Sequence, residues 1–255
     1  MLVATWNVNS IRARLDRFMS WLKAVQPDVV CLQETKVEDH AFPLELIEGL
    51  GYNVVVNGQK SYNGVALISR HPMFDIERSF DRNLDTQGAR FISAVIKDIR
   101  IMSIYVPNGA SIELEQYSKK LQWYDSFIEY LQGRIVKAEK TIIGGDFNIA
   151  YKSIDLDSPS AWEGSVLYNA EICGYLDQLI EMGFVDSFRI HQKEAGYYSW
   201  WDYRNLAFQN NNGLRIDYLF VSADLSNLCD KAYIDRDQRK GLKPSDHAPV
   251  LVSFA

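Results

Sequence analysis

Short apolar runs, each ended by polar residues, recur along this 255-residue chain and limit it to folds with a large β-sheet core. The clearest run is Thr141–Ala150, TIIGGDFNIA, whose β-branched start is typical of a strand buried on both faces. The run stops at Gly144 and Gly145, and Asp146 and Asn148 follow. Because residues two apart on extended backbone project to the same side, both polar groups can face one point. Taken alone, the segment fits a capped turn equally well.

The periodicity of apolar residues predicts a mixed α/β chain. Strands are predicted at residues 2–6, 28–32, 51–56, 64–69, 91–96, 100–106, 141–146, 197–203, 213–221, 231–235 and 249–254, with a hairpin turn at 57–63. Helices are predicted at 11–25 (with Ser10 as N-cap), 42–50, 113–137 and 169–182, and an acidic loop at 151–166. Hairpin-like neighbours favour mixed sheets with helices outside over a doubly wound parallel sheet. No linker or repeat divides the chain, so we expect one domain, 1–255.

Composition narrows the function classes. With 47% hydrophobic residues the chain can bury a large core. A net charge of −6 argues against a protein that coats nucleic acid indiscriminately, but allows DNA binding through a local patch. No run approaches the ~20 apolar residues of a membrane span and no signal peptide precedes the first strand, so we expect no membrane partner. The widely spaced Cys31, Cys173 and Cys229 indicate reduced thiols of a cytoplasmic protein.

Polar residues stand where several predicted strands end. They are Asn7, Glu34, Tyr105, Asn108, Asp146, Asn148, Asp246 and His247. Carboxylates that converge on one rim repel each other and need a cation, and a set of Asp, Glu and Asn oxygens suits Mg²⁺ or Mn²⁺. Zinc is disfavoured because His40, His71 and His191 show no ligand spacing; we expect them at the surface or in turns.

Asp217 lies inside an apolar predicted strand, where an unpaired carboxylate is costly. His247, at another strand end, is a natural partner, because an Asp–His pair orients the imidazole and favours its charged form. Singly, other residues have simpler interpretations: Glu34 as a surface residue, and Tyr105 and Trp200 as packing. Their convergence on one rim is what favours a site.

The chain also contains, in this order, WNVNSIRAR, CLQETK, YNGVALISR, YVPNG, GGDFNIA, SWWDYR, GLRIDYLFVS and KPSDHAPV. Together these segments resemble the exonuclease III type of apurinic/apyrimidinic (AP) endonuclease, within the endonuclease/exonuclease/phosphatase superfamily. The resemblance covers Leu2 to Phe254. It implies a DNase I-like four-layer α/β sandwich, with two mixed sheets face to face, helices on both outer faces and the site at one rim.

The resemblance implies a role for each rim residue. Glu34 would be the principal Mg²⁺ ligand, and Asn7 and Asp246 would complete or support the metal site. Asp146 would orient or deprotonate the attacking water, and Asn148 would hold water and phosphate in line. The identity of the general base and the number of metal ions stay open.

Phosphate contacts are implied for a second set of residues. His247, held by Asp217, would bind the scissile phosphate or stabilise its developing charge. Tyr105 would contact the phosphate or assist the leaving group, and Asn108 would bind a phosphate oxygen. Phosphodiester hydrolysis depends mostly on positioning and charge neutralisation, which such a set can provide.

The family also implies an apolar pocket for a flipped-out abasic deoxyribose, which is cheap to extrude because little stacking is lost. Trp200, Leu214 and Ile216 match the wall positions; the alternative is that they are plain core. Two residues depart from relatives. Ser111 stands where some have a long side chain that enters the duplex, and Asn9 stands where some have an Asp near the metal.

The implied function is Mg²⁺-dependent cleavage of double-stranded DNA 5′ to abasic sites, with 3′–5′ exonuclease and 3′-phosphodiesterase activity on blocked ends, by a monomer. The alternatives are a superfamily phosphatase or phosphodiesterase acting on lipids or messenger RNA, and a catalytically inactive DNA-binding relative. A DNA face could include Arg12, Arg14, Lys119, Lys120, Arg204, Lys240 and Lys243, although exposed charges are often only solvated surface.

Overall fold

The computed structural model describes residues 1–81, 88–135 and 139–255. Its strands are β1 (Leu2–Asn7), β2 (Val29–Gln33), β3 (Asn53–Asn57), β4 (Val65–Ser69), β5 (Phe74–Glu77), β6 (Phe91–Ile96), β7 (Ile99–Tyr105), β8 (Thr141–Asp146), β9 (Phe184–Asp186), β10 (Asp217–Ser222), β11 (Cys229–Ile234) and β12 (Val250–Phe254). Its helices are α1 (Leu15–Val25), α2 (Leu44–Glu48), α3 (Glu115–Ile135), α4 (Pro159–Trp162), α5 (Ala170–Glu181), α6 (Ser187–His191), α7 (Ala207–Asn210) and α8 (Ala223–Ser226). Short 3₁₀ turns lie at Asp39–Ala41, Ser153–Asp155 and Arg236–Arg239.

The strands form two mixed sheets of six strands each. The first has the order β11-β12-β1-β2-β4-β3 and the second β5-β6-β7-β8-β10-β9. Only β1 with β2 and β7 with β8 pair in parallel among the strands described. The side chain of Asn7, at the end of β1, reaches Asp146, at the end of β8. The carboxyl ends of both parallel pairs therefore meet at one rim.

Apolar side chains fill the space between the two sheets and also cover the outer face of each sheet. Cys31 and Leu67 of the first sheet pack with Ile101, Ile142 and Leu219 of the second. On the outside, α1 and α2 cover the first sheet, and α3 and α5 cover the second. The order of layers is helix, sheet, sheet, helix, so the four-layer sandwich is confirmed. Within the described ranges, no helix is both long and apolar enough to cross a membrane.

The two glycines of β8 are required by close packing. A Cβ on Gly145 would lie 2.2 Å from the backbone oxygen of Ile104 on β7, which no ordinary contact allows. A Cβ on Gly144 would lie 2.9 Å from the Leu219 side chain and 3.0 Å from Cys31 Sγ on the opposite sheet. The glycine pair therefore lets β8 lie close to its neighbours just before it delivers Asp146.

Several predicted elements are confirmed with changed boundaries. β3 and β4 form the predicted hairpin, and Asn169 caps α5 by accepting a hydrogen bond from Ile172 N. The first helix begins at Leu15, because the backbone N–H groups of Ser10 and Ile11 instead donate to the carbonyls that follow β2. Ser10 is therefore not its N-cap. The predicted long helix is α3, and residue 137 at its predicted end lies outside the described residues.

The predicted strand at 197–203 is wrong. This segment crosses the rim, and Trp200 makes only isolated bridges to Leu214 and His247. The strand predicted at 213–221 begins only at Asp217, for the same reason: Leu214 pairs with this crossing segment. Strands β5 and β9 and helix α6 were not predicted, because they are too short for a hydrophobic periodicity to be recognised.

Candidate active site

Six strands position the site. Asn7 ends β1, Glu34 follows β2, and Tyr105 and Asp146 lie side by side at the ends of β7 and β8. Asp217 begins β10 directly opposite Asp146, because these two strands run antiparallel. His247 precedes β12, which runs antiparallel to β1. The sheet topology thus brings together residues that are up to 240 positions apart (7 to 247) in the chain.

A buried histidine lies between two carboxylates. His247 Nδ1 is 2.8 Å from Asp217 Oδ2, and its Nε2 is 3.7 Å from Asp146 Oδ2. Burial alone would lower the pKa of His247, but the charges of Asp217 and then Asp146 raise it to about 10. The ring is therefore an imidazolium at neutral pH, and its Nδ1–H donates to Asp217. Ser199 Oγ donates a second hydrogen bond, of 2.6 Å, to the same carboxylate oxygen.

Asp146 is the second buried acid that faces this histidine, and its carboxylate is held from two sides. Its Oδ1 accepts from Asn148 N at 2.9 Å and its Oδ2 from Asn7 Nδ2 at 2.9 Å. Burial raises the pKa of Asp146 to about 7, although His247 opposes the shift. A carboxylate with a pKa near neutrality suits proton transfer at neutral pH.

Glu34 lies beside Asp146 with an oxygen that can bind a cation. Ligand atoms of Glu34, Asp146 and His247 all lie within 4.8 Å of one another. While His247 is an imidazolium both of its ring nitrogens carry protons, so the two carboxylates are the better ligands. Two carboxylates in a half-buried setting form an oxygen donor set that fits a hard divalent cation.

The predicted supporting metal residues are connected to Glu34 through hydrogen bonds. Asn7 Nδ2 donates to Glu34 Oε1 at 2.8 Å, and its Oδ1 accepts from Asn9 N. Asn7 therefore bridges Glu34 and Asp146 with its amide hydrogens. The oxygens of Asp246 accept from Asn9 Nδ2 and, at 3.0 Å, from Trp200 Nε1. Although burial opposes it, His247 and these donors lower the pKa of Asp246, which stays ionised.

Asn9, which stands where some relatives have an Asp, accepts a hydrogen bond from a lysine that the sequence analysis did not identify. Lys36 Nζ donates to Asn9 Oδ1 at 2.7 Å and pairs with Glu34 Oε2 at 2.7 Å. Asn9 thus joins Lys36 to Asp246, and its amide serves as acceptor on one side and donor on the other. A carboxylate at this position could not donate to Asp246.

Three further rim residues face the same space. Burial, and then the charge of Glu34, raise the pKa of Tyr105 well above its usual value, so its phenol stays protonated. Asn108 Nδ2 donates to Asn148 Oδ1 at 3.1 Å, and Asn148 Nδ2 donates to the Val106 carbonyl at 2.8 Å. Asn148 adopts a left-handed backbone with φ of 50°, which Asn tolerates better than most residues.

The predicted pocket wall is an apolar cluster beside the rim. Leu214 and Ile216 are buried in it, and Trp200 packs against it half-buried. Leu214 is fully buried and Ile216 is 2% exposed, whereas solvent reaches Trp200. Next to Asn108 lies a cavity of about 400 Å³, lined by Ala110, Ser111, Ile112, Trp162 and residues 164–167.

The sequence pattern of the Endonuclease/Exonuclease/phosphatase family matches residues 4–247. The chain is also 34% identical over 266 aligned positions to exodeoxyribonuclease III of Haemophilus influenzae, with both chains fully covered. This chain belongs to the Endonuclease/Exonuclease/phosphatase family. The predicted resemblance is thereby confirmed.

Two solved structures are similar to this family member over its whole length. An AP endonuclease from Archaeoglobus fulgidus has a TM-score of 0.96 and 36% identity, covering 100% of this chain and 99% of that one. The 3′ phosphatase NExo from Neisseria, bound to product DNA hairpin, has a TM-score of 0.97 and 32% identity, with the same coverage. Both similarities extend over the helices and both sheets.

The predicted DNA face is wrong at one residue, Lys120. Lys120 is fully buried, so it cannot meet a phosphate on the surface. Arg14 is half-buried and donates to Asn9 O, Tyr203 OH and Pro244 O. Arg12 and Lys243 are exposed. Lys119, Arg204 and Lys240 are also exposed, and they pair with Glu115, Asp202 and Asp237, respectively. Of the remaining histidines, His40 and His191 are exposed, as predicted, and His71 pairs with Asp28.

Residues of the rim that the sequence analysis did not identify are Lys36, Ser199 and Ser245, and it assigned Lys120 to the DNA face instead of this interior position. Two of them lie in segments that carry the family resemblance. Lys36 lies in the CLQETK segment two positions after Glu34, and Ser199 starts the SWWDYR segment. Ser245 Oγ donates to the Asn7 carbonyl and accepts from His247 N, so it fixes the last rim segment to β1.

Proposed function

We propose that this chain is a Mg²⁺-dependent nuclease that hydrolyses the phosphodiester 5′ to an abasic site in double-stranded DNA. The products are a 3′-hydroxyl and a 5′-deoxyribose phosphate. The observation that carries the proposal is the buried Asp146–His247–Asp217 array with Glu34 beside it, at the rim of a family fold whose similar members are named as AP endonucleases and exonucleases. Activity at 3′ ends, as a 3′–5′ exonuclease and 3′-phosphodiesterase, belongs to the same proposal.

The residues of this chain divide the reaction between them. Asp146 orients the attacking water and is placed to take its proton, and Asn148 keeps water and phosphorus in line. The imidazolium of His247 donates to a phosphate oxygen and stabilises the charge that develops there. As the P–O3′ bond breaks, the neutral phenol of Tyr105 can donate to the leaving oxygen. The activity of Asp146→Asn tests whether Asp146 is the general base.

A divalent cation is part of the proposal, with Mn²⁺ as a substitute for Mg²⁺. Glu34 would be its principal ligand, and Asn7 and Asp246 would support the site through the hydrogen bonds described. When bound, the cation contributes neutralisation of phosphate charge. The donor set does not favour zinc, because the candidate ligand group of Glu34, Asp146 and His247 includes no cysteine and His247 already bonds to Asp217.

The DNA partner follows from the same reasoning. We propose that Trp200 and the rim beside Asn108 accept an abasic sugar or a 3′-terminal group of a duplex, with Leu214 and Ile216 behind them. The chain would act as a monomer and as one domain over residues 1–255. The three free cysteines support a reducing, cytoplasmic location.

Time-resolved digestion of a duplex with one abasic site, sized on a gel, tests the proposal. The expected product ends at the nucleotide 5′ to the lesion and is lost when EDTA removes the cation. Parallel reactions with a 3′-phosphate duplex, a phosphoinositide and RNA test the phosphatase alternative. Binding without cleavage under every metal condition would instead indicate an inactive relative, and turnover of only the lipid or RNA would overturn the DNA assignment.

A further inference from the structure

Lys120 is a lysine of α3 that solvent does not reach. Its relative exposure is 0%, although lysine is among the residues least often buried without a partner. Its stem is covered by the neighbouring loop, since a Cβ on Gly109 would lie 3.1 Å from Lys120 Cδ. A cation at this depth needs a full set of acceptors.

Three backbone carbonyls provide those acceptors, and each belongs to a different loop at the rim. Lys120 Nζ donates to Asn148 O at 2.7 Å, to Val166 O at 2.5 Å and to Asn108 O at 3.2 Å. An ammonium group has three hydrogens, one for each carbonyl, whereas a neutral amine has only two. The arrangement therefore matches the charged form, although burial lowers the pKa of Lys120 to about 7.

Two of these loops carry the amides assigned to the phosphate. The side chains of Asn108 and Asn148 bond to each other at 3.1 Å, so fixing both backbones fixes the pair. The third loop, through Val166, lines the cavity beside Asn108 and packs in the same apolar cluster as Leu214. A single cation thus links the phosphate-binding amides to the wall of the sugar pocket.

We propose that Lys120 is a positioning residue that holds Asn108 and Asn148 in register with the scissile phosphate. This inference rests on the proposed hydrolysis of a phosphodiester at this rim. It assigns Lys120 no contact with DNA, in contrast to a surface cation. Misplacing aligned groups by about 1 Å can lower a rate about 10²-fold even when the changed residue is remote from the reacting atoms.

The experiment compares Lys120→Met, which keeps the stem and removes all three donors, with Lys97→Met. Lys97 is exposed in the turn between β6 and β7, at the opposite end of β7 from Tyr105, so its variant removes the same charge from a surface outside the proposed DNA face. On an abasic duplex we expect Lys120→Met to lose about 10²-fold in kcat with KM within about threefold, and Lys97→Met to keep its kcat within about twofold. A lower Tm with unchanged kcat would overturn the proposal, since that is the result of a merely structural lysine.

Two further readouts keep the test decisive. Lys120→Gln retains two N–H donors and should fold where the methionine variant does not; we expect an intermediate kcat, and wild-type kcat would contradict the proposal. In ¹⁵N spectra, the side-chain amide signals of Asn108 and Asn148 should shift in the Lys120 variants and stay fixed in Lys97→Met. Unchanged signals would also overturn it.

A small diester separates this proposal from the proposed function. Bis(4-nitrophenyl) phosphate with Mn²⁺ requires the aligned amides but no duplex. If the wild-type chain cleaves the small diester and not the abasic duplex, the DNA assignment fails, and the kcat of Lys120→Met on the diester still tests Lys120. If both substrates are cleaved equally well by wild type and Lys120→Met, the Lys120 proposal alone fails.

Discussion

At the scale of single residues, the imidazole of His247 illustrates how burial and charge compete. Its Nδ1 is 2.8 Å from one carboxylate, Asp217, and its Nε2 is 3.7 Å from another, Asp146. Burial alone would remove its proton, and the two carboxylates more than offset this effect. The balance turns a residue that ordinarily titrates near neutrality into a cation at neutral pH, which is the form that the proposed phosphate contact requires.

This balance predicts a pH-dependent contribution to stability. The pKa of His247 is about 10 in the folded chain, above the ordinary 6.5, so its stabilising effect is fully present below pH 6.5 and is lost as the pH rises through 10. We expect the difference in free energy of unfolding between wild type and His247→Gln to be largest at pH 6 and to shrink toward pH 10. Urea unfolding at pH 6, 8 and 10 measures it, with the exposed His40→Gln as control. A difference that does not vary with pH would contradict the assignment.

At the scale of elements, β8 was predictable and the segment 197–203 was not. The run Thr141–Ile143 is β-branched and continuous, which is typical of a central strand buried on both faces. Residues 197–203 are rich in aromatic side chains, as strands often are. They nevertheless cross the rim and pair only through single bridges at Trp200. The composition of a segment can predict whether it is buried, but not whether a neighbouring strand is available to pair with it.

Lys120 shows the same limit within a helix. It lies three positions after Tyr117 and four before Tyr124, both buried, so helical spacing places it on the inner face of α3. That spacing was a usable signal. It does not show that the ammonium has acceptors, because the three carbonyls come from loops 12 to 46 positions away in the sequence.

The glycines of β8 predict a graded loss of stability. Gly145→Ala places a Cβ against backbone, which cannot move aside, and should lower the free energy of unfolding by about 3 kcal/mol or more. Gly144→Ala meets only the ends of the Leu219 and Cys31 side chains and should cost about 1–2 kcal/mol. Urea unfolding of both variants provides the comparison. Equal losses, or a larger loss at Gly144, would contradict the packing described for this strand.

At the scale of the whole molecule, a net charge of −6 must be reconciled with a polyanionic partner. Exposed cations can still meet phosphates locally, and Lys243 lies three residues before Asp246 of the rim. Affinity for an uncleavable abasic duplex should fall as salt rises. Lys243→Ala should reduce the magnitude of the slope of log K against log salt by about 1.

The control for this prediction is Lys97→Ala. Lys97 is exposed in the turn between β6 and β7, at the opposite end of β7 from Tyr105. It should leave the salt slope unchanged. An affinity that does not respond to salt, or an equal effect of both variants, would argue against a phosphate-contacting face beside the rim.

The convergence of the predicted residues on one rim was predictable from the strand ends, and the structure brings these residues together. The connections among them were not predictable. The chain of contacts from Glu34 through Lys36 and Asn9 to Asp246 depends on side-chain distances of 2.7–2.9 Å that no spacing encodes. The fold brings these four residues from three separate segments, and only the packed sheets define which amide meets which carboxylate.

The central claim is that the buried rim around Asp146 carries out the hydrolysis. Single-turnover cleavage of a duplex with one abasic site, in Mg²⁺, tests it by comparing wild type with Asp146→Asn and with the exposed Asp230→Asn. We expect Asp146→Asn to lower the rate by about 10²-fold or more, since a positioned proton acceptor contributes about 10²–10⁴-fold, and Asp230→Asn to cleave at the wild-type rate. Wild-type cleavage by Asp146→Asn would contradict the account.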